Sequence, residues 1–403
     1  MLALRVHGAQ RRAQHAGPRR EGQREGQREG QREWQGRCGL TVLDAMCGSG
    51  VRALRYIEEG GATFVLANDA DDDLEGEREA NLRAYIANGT AALSTGDATE
   101  SFFSARLKRT YYDMIDVDGF GSGAPHSAEA WWALSIGGLL YLCSTDARSA
   151  AGKNAPSAAW RGFGAVAQSM PASNELGVRL LVADAVRQAA ARGFEAVPVF
   201  GVFHRQSSCS RVMLRLMAAG RSSCPRSAEE GIAFAAYCGA TGEQWVLPMA
   251  QVHDPRGAAT CPAAAQHASL AAAAYTPEHA AAALRVTGPI WAGALCDESF
   301  VCEMAAAAAA REDMSEAAKM LSTLLQEVRQ GLPPMYFRLK EVGKSLGLEG
   351  ISALPRKRQL VEELRARGFA AGDAQAEAQA IKTSAPMAEV VAAARMLVLG
   401  NEG

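Results

Sequence analysis

The chain has 403 residues, enough to bury a large core and to form two folded domains with a tail. Its 42 basic and 44 acidic residues give a formal net charge of −2, so a nucleic-acid partner would need a local basic patch. No apolar run approaches the ~20 residues that span a bilayer. Nine scattered cysteines favour a reducing intracellular compartment over a disulfide scaffold, without distinguishing nucleus, cytosol or organelle.

Residues 1–39 differ from everything that follows. From Glu21 to Gln35 the chain repeats Arg-Glu-Gly-Gln almost unchanged and offers no apolar face, so we expect a disordered low-complexity arm. Arginine outnumbers glutamate in the arm as a whole, which suits a nonspecific contact with RNA. A solvated tail without a function is the alternative.

From residue 40 to about 220, short apolar runs alternate with amphipathic stretches. Helices are predicted at 73–87 and 174–192, and strands at 41–45, 64–68, 92–95, 112–117, 138–144, 196–206 and 209–217. This alternation predicts a parallel sheet with helices on both faces. The last two strands are so close in sequence that they must form an antiparallel hairpin. The predicted fold class is therefore α/β, a Rossmann-like sheet of the class I methyltransferase type with a terminal hairpin.

The chain changes character beyond residue 220. An alanine-rich insertion is predicted over 221–287, and a smaller, mostly helical C-terminal domain over 288–403. The helices of that domain are predicted at 298–329, 336–346, 356–367 and 387–397. No protein partner is evident from the sequence.

Gly48-Ser49-Gly50 follows the first strand and opens a helix, so backbone amides there can approach a ligand closely. The spacing also fits a dinucleotide fingerprint. Asp44 favours S-adenosylmethionine instead, because a carboxylate at that strand end attracts the cationic amino-acid part of this cofactor and repels a pyrophosphate. Arg52 could pair with the cofactor carboxylate.

Two further carboxylates end the next strands. Asp69 is placed to accept hydrogen bonds from both ribose hydroxyls, and Asp97 from the adenine amino group, with Ala98 packing on the ring. The alternative is that Asp69 and Asp97 only cap the helices that follow them.

Asp118 ends the fourth strand and is followed by Gly119-Phe120-Gly121-Ser122. Methyl transfer to an exocyclic amine requires its nitrogen lone pair to face the methyl donor, so an acceptor must orient the N–H groups. Asp118 and the Gly119 carbonyl are the predicted pair, Asp118 also taking the released proton, and Phe120 offers a ring on which an unstacked base can lie. Helix capping by Asp118 and core packing of Phe120 are the alternatives.

These motifs resemble the tRNA guanine-26 N2-dimethyltransferase family over roughly residues 41–398. The matched segments are Asp118–Ser122, Gly137–Asp146, Asn174-Glu175, Gly288–Trp291 and Ile381–Pro386. The resemblance implies transfer of one or two methyl groups from S-adenosylmethionine to the guanine N2 amine, with tRNA as partner. It implies Asp118 and Phe120 as catalytic residues, with Arg52, Asp69, Asp97 and Ala98 binding the cofactor.

For RNA contact, the sequence offers Lys382 and the cluster Arg356, Lys357 and Arg358, each of which could instead be a solvated helix face. The family's Asp-Pro-Phe turn has Gly119 in place of proline. Its paired cysteine knuckles are reduced to single cysteines, so no metal is expected. Three alternative hypotheses about the function stay open: an RNA-binding relative with impaired catalysis, a class I methyltransferase with another acceptor, and a nicotinamide-dependent oxidoreductase.

Overall fold

The computed structural model describes residues 39–218, 231–249, 284–347 and 354–399. The predicted N-terminal arm lies outside these ranges apart from its last residue, and so does most of the alanine-rich insertion. Within the ranges, no helix is long and apolar enough to cross a bilayer. In the same residues, no group of three or more His, Cys, Asp or Glu side chains could hold a metal ion.

A seven-stranded sheet forms the centre of the molecule, in the order β3-β2-β1-β4-β5-β7-β6. Its strands are β1 Leu40–Asp44, β2 Ala62–Asp69, β3 Ala91–Thr95, β4 Tyr112–Val117, β5 Leu134–Ser144, β6 Phe194–His204 and β7 Cys209–Ala218. The first five run parallel, whereas β7 is antiparallel to both of its neighbours. The sheet and its hairpin agree with the predicted fold class.

Helices connect the parallel strands. They are α1 Val51–Glu58, α2 Glu75–Ala87, α3 Ala98–Lys108, α4 Ala124–Ala133, α5 Ala147–Ala150, α6 Pro156–Phe163 and α7 Ser173–Ala190. Every residue of β1 and β4 is buried, as expected for strands covered on both faces. Thr41 of β1 and Asp113 of β4 pair inside the sheet: the backbone N–H of Thr41 donates to Asp113 Oδ2 at 3.0 Å.

The remainder of the described chain combines helices with two small sheets. Strands β8 Ile232–Cys238, β9 Gln244–Pro248 and β10 Leu284–Trp291 form one three-stranded sheet, and β11 Phe337–Arg338, β12 Ala371–Asp373 and β13 Ala380–Thr383 form another. The helices are α8 Glu298–Ala309, α9 Ser315–Arg329, α10 Leu339–Ser345, α11 Lys357–Ala366 and α12 Met387–Leu399. The helix predicted at 298–329 is thus interrupted, because the chain turns at Ala310 and Arg311 and makes a short 3₁₀ turn, Glu312–Met314.

Three apolar clusters show how these parts pack. Residues of β8 and β10 share the first cluster with the central sheet and α7, and α8 and α9 pack into the second cluster, against the other face of the sheet. A third cluster lies within residues 337–397 and belongs to a small C-terminal module. An apolar cluster confined to the C-terminal residues thus begins at residue 337, because α8 and α9 bury their apolar sides on the central sheet. The domain boundary at residue 288 stays a prediction.

Parallel strands place their carboxyl ends at one edge. Asp44 and Asp69 end β1 and β2, Asp118 directly follows β4, and Asp97 lies two residues after the end of β3. These four strands are neighbours in the sheet. Chain order reverses between β1 and β4, and ligands of open α/β sheets bind at such a switch point. The fold thus brings the four predicted carboxylates to one edge of the sheet.

Candidate functional site

The glycine turn after β1 is shaped for close approach of a ligand. Gly48 and Gly50 have φ of 55° and 79°, a region that glycine adopts without strain, and Gly50 is the N-cap of α1. A Cβ at Gly48 would meet no atom within 4 Å, so the space over this backbone is open. The Gly48 N–H donates to Asp69 Oδ2 at 2.6 Å, which fixes the turn against the end of β2.

Asp44 is the most unusual group at this edge. Its side chain is 1% exposed, and neither carboxylate oxygen has a hydrogen-bond partner among the described residues. Burial, followed by the nearby carboxylate of Asp116, raises its pKa well above the ordinary value. A buried carboxylate without a partner is costly unless a cation binds it. The ammonium group of S-adenosylmethionine fits this requirement.

Asp69 and Asp97 both make local hydrogen bonds. Besides binding Gly48, Asp69 accepts from the backbone N–H of Asp71 at 3.0 Å. Asp97 is the N-cap of α3 and accepts from the Thr99 N–H at 2.7 Å, as the capping alternative predicts. A carboxylate offers about four acceptor positions, so ribose and adenine contacts remain open to both residues. Ala98 is buried at the start of α3; the cofactor roles of all three stay predictions.

Arg52 joins the cofactor edge to the end of β4. Its Nη1 lies 2.9 Å from Asp116 Oδ2 and 2.7 Å from Asp118 Oδ2. The hydroxyl of Tyr56 donates a short hydrogen bond to the same Asp116 oxygen. A guanidinium carries five N–H donors, so the predicted contact of Arg52 with a cofactor carboxylate stays a prediction. The observed role of Arg52 is to hold the predicted catalytic carboxylate in place.

The turn after β4 presents two different surfaces. The Asp118 side chain is 17% exposed, whereas the ring of Phe120 is fully exposed and free to stack with a ligand. Core packing, the alternative considered for Phe120, is excluded. A Cβ at Gly119 would lie 2.5 Å from the sulfur of Met46, so Met46 occupies the space that a side chain at this position would need.

The structure contradicts one predicted RNA contact. Lys382 is 3% exposed, and its Nζ lies 3.0 Å from Glu175 Oε1 and 2.9 Å from Glu327 Oε2. Burial acts to raise the pKa of Glu175, but the charges of Lys382 and Arg179 outweigh it and hold that pKa below its ordinary value. Lys382 is therefore part of a buried charge cluster and does not reach an RNA phosphate. A lysine in an otherwise polar segment gave no sign of this burial.

The predicted basic cluster divides into different environments. Arg356 is exposed at the start of α11, and Arg358 is exposed and pairs with Glu362 at 2.8 Å. Lys357 pairs with Asp373 at 2.8 Å. It also lines a cavity that Asp118 borders. Contact of these three residues with RNA stays a prediction.

Two groups of functional interest were missed from the sequence. Asp116 lies within a strand that reads as uniformly buried, yet it binds both Arg52 and Tyr56. The only sequence signal was the repeated aspartate of Ile-Asp-Val-Asp. Glu175 was noted as a motif residue without a role, and its partner Lys382 lies 207 positions away.

Comparison with known proteins agrees with this geometry. The family model described as N2,N2-dimethylguanosine tRNA methyltransferase matches residues 5–395. A tRNA (guanine(26)-N(2))-dimethyltransferase of Schizosaccharomyces pombe is 26% identical over 355 residues, covering 86% of this chain and 62% of the relative. One of Aeropyrum pernix is 27% identical over 365 residues, covering 89% of this chain and 82% of the relative.

The fold has a solved counterpart. The structure of Trm1 from Pyrococcus horikoshii with S-adenosyl-L-methionine matches with a TM-score of 0.71 at 22% sequence identity, over 88% of each chain. Together with the family match across nearly the whole sequence, this establishes the resemblance predicted from the motifs. The chain belongs to the N2,N2-dimethylguanosine tRNA methyltransferase family.

Proposed function

We propose that this chain transfers methyl groups from S-adenosylmethionine to the exocyclic N2 amine of guanine 26 in tRNA, first one and then a second. The observation that carries the proposal is the buried, unpartnered carboxylate of Asp44 beside the open Gly48 turn, at the same edge of the sheet as Asp118, which Arg52 binds. The family match and the named activity of the relatives support the choice of acceptor.

The cofactor supplies an electrophilic methyl group on a positively charged sulfur. Asp44 binds its ammonium group, and the hydrogen-bonding capacity left on Asp69 and Asp97 serves ribose and adenine. Negative charge dominates this edge, since Asp44, Asp116 and Asp118 face one arginine, Arg52. Such a field favours a cationic ligand over a neutral one.

Asp118 and the Gly119 carbonyl accept hydrogen bonds from the guanine amine, which directs its lone pair toward the methyl group. The carboxylate then takes the released proton at an oxygen that Arg52 holds in position. Phe120 stacks on the base once it has left the RNA helix.

The direct test is methyl transfer from labelled S-adenosylmethionine to an unmodified tRNA that carries guanine 26. We expect label with the wild-type chain and loss of roughly 10²–10⁴-fold in rate with Asp118→Asn. A tRNA with adenine in place of guanine 26 is the matched substrate control.

Nucleoside analysis of the product distinguishes mono- from dimethylguanosine. Equal labelling of the adenine-26 control would contradict the assigned acceptor. An undiminished rate in Asp118→Asn would remove Asp118 from the chemistry.

A further inference from the structure

A cavity of about 1070 Å³ adjoins the turn after β4. Arg52 and Asp118 line it, whereas Asp44, Asp69 and Asp97 do not. Its other walls come from the β6–β7 turn, helix α9 and the start of α11 with neighbouring residues of the C-terminal module. Small-molecule sites typically have volumes of ~300–1,000 Å³. This cavity lies at the top of that range and is larger than a single base needs.

The charges of this cavity are unbalanced. Two of its carboxylates already have basic partners, Asp118 with Arg52 and Asp373 with Lys357. Among the other lining groups, and within the described residues, three cations have no carboxylate within ion-pair distance, against one unpaired acid. The cations are Arg205, Arg211 and Lys319, and the acid is Glu316.

The three cations come from two parts of the chain and differ in exposure. Arg211 is half-buried on β7, one strand from β5 and in register with Cys143. Arg205 is exposed in the β6–β7 turn, which lies at the carboxyl edge of the sheet because β6 runs parallel to β5. Lys319 is exposed on α9, across the cavity. Arg211 is therefore the least exposed of the three cations.

Apolar and thioether side chains form much of the remaining lining. They are Phe200, Val202, Met213, Met304, Met314 and Met320. Methionine adapts to irregular shapes and makes favourable contacts with aromatic faces. Apolar side chains together with cations that lack a carboxylate partner match a ligand that has both aromatic bases and phosphates. A nucleotide strand has this combination.

We propose that this cavity binds the nucleotides that flank the methyl acceptor, with Arg205, Arg211 and Lys319 contacting their phosphates. The inference rests on the proposed function, since it takes Asp118 as the group that meets the acceptor base. On this proposal, the surface that contacts RNA lies on the central sheet and α9. Lys357 is the residue of the C-terminal module that takes part in it.

The test measures tRNA binding by fluorescence anisotropy between 50 and 300 mM salt for wild type and Arg205→Ala/Lys319→Ala. Both side chains are exposed, so their removal leaves the core intact. Two lost phosphate contacts are expected to make the slope of log K against log salt shallower by about 1.4, and to weaken binding on the order of tenfold near 100 mM. The matched control is Arg83→Ala/Lys108→Ala, also exposed but outside the cavity lining.

Binding of S-adenosylmethionine, measured calorimetrically, separates this inference from the proposed function. Weaker tRNA binding in the cavity variant alone, with cofactor affinity unchanged, supports the inference. A cavity variant that binds tRNA like wild type, or a control that loses as much, overturns it, even if the wild-type chain methylates guanine 26. Failure of the wild type to bind tRNA at all also overturns it, whereas failure to bind cofactor counts against the proposed function only.

Discussion

The side chain of Asp44, which is proposed to bind the cofactor, destabilises the ligand-free protein. Its carboxylate is buried, has no hydrogen-bond partner among the described residues, and has a raised pKa caused first by burial. A group whose pKa is raised on folding weakens the fold as the pH rises above its unfolded pKa, because ionisation is easier in the unfolded chain. Below that pH the carboxyl is protonated in both states and the penalty vanishes.

We therefore expect Asp44→Asn to stabilise the ligand-free protein at neutral pH by about 1–3 kcal/mol and to abolish cofactor binding. The gain should shrink as the pH falls toward 4. Thermal unfolding at several pH values, beside calorimetric titration with S-adenosylmethionine, measures both effects. A variant that is less stable than wild type at neutral pH would show that Asp44 has a stabilising partner in the free protein.

Phe120 presents the opposite case, an aromatic ring that contributes nothing to the core because it is fully exposed. We expect Phe120→Ala to leave the melting temperature unchanged and to raise the KM for tRNA roughly tenfold, since stacking of a base on an aromatic ring is worth about 1–3 kcal/mol. Steady-state kinetics with cofactor saturating provide the measurement. Phe120→Tyr keeps a ring and serves as the control, and a drop in melting temperature with unchanged KM would contradict the stacking role.

At the scale of elements, helix α7 and strand β13 are joined by buried charge. Glu175 on α7 binds Lys382 on β13 and also accepts from the backbone N–H of Met335 at 3.2 Å. Arg179, one turn further along α7, donates to the carbonyls of Trp291 and Gly293 at 2.7 and 3.0 Å. Four segments distant in sequence are thus held together by one cluster.

Removal of one partner from such a cluster leaves an uncompensated buried charge. Lys382→Met is therefore expected to lower the free energy of unfolding by about 3–5 kcal/mol without altering the salt dependence of tRNA binding. Denaturant unfolding checks the first part and anisotropy the second. The exposed Lys344→Met is the control and should stay within about 0.5 kcal/mol of wild type. A Lys382→Met protein that is as stable as wild type, and whose tRNA binding depends less steeply on salt, would support the hypothesis that Lys382 contacts RNA.

Single strands and helices were predicted from the sequence better than the contacts between residues that are distant along the chain. Strand β4 was predicted with both ends correct, although Asp113 and Asp116 interrupt its apolar residues. The helix predicted at 298–329 was wrong at 310–314, where alanine continues a helical composition through a turn. Lys382 was misread since burial depends on Glu175 and Glu327, which no local pattern connects to it.

At the scale of the whole molecule, the described parts are expected to unfold together. The first apolar cluster contains residues of the central sheet, of β10 and of the C-terminal module, so the loss of one part exposes apolar side chains of the others. Gln375 of the module also donates to the Phe203 carbonyl of β6 at 3.0 Å. Shared cores of this kind produce one cooperative transition.

Scanning calorimetry should accordingly show one transition, with equal calorimetric and van't Hoff enthalpies. Lys382→Met is the change expected to split it, because it removes the link between α7 and the module and leaves the third cluster intact. Two well-separated transitions in the wild-type chain would contradict the shared core.

The cavity beside Asp118 has walls from distant parts of the chain, and the cluster of Glu175, Glu327 and Lys382 holds these parts in register. The width of the cavity is therefore determined by a cluster of residues that would not themselves touch a substrate. In a lineage, mutations around this cluster could widen or narrow the cavity while Asp118 and Phe120 stay unchanged. Under the proposed function, substrate range and chemistry are therefore expected to be separable traits, open to selection one at a time.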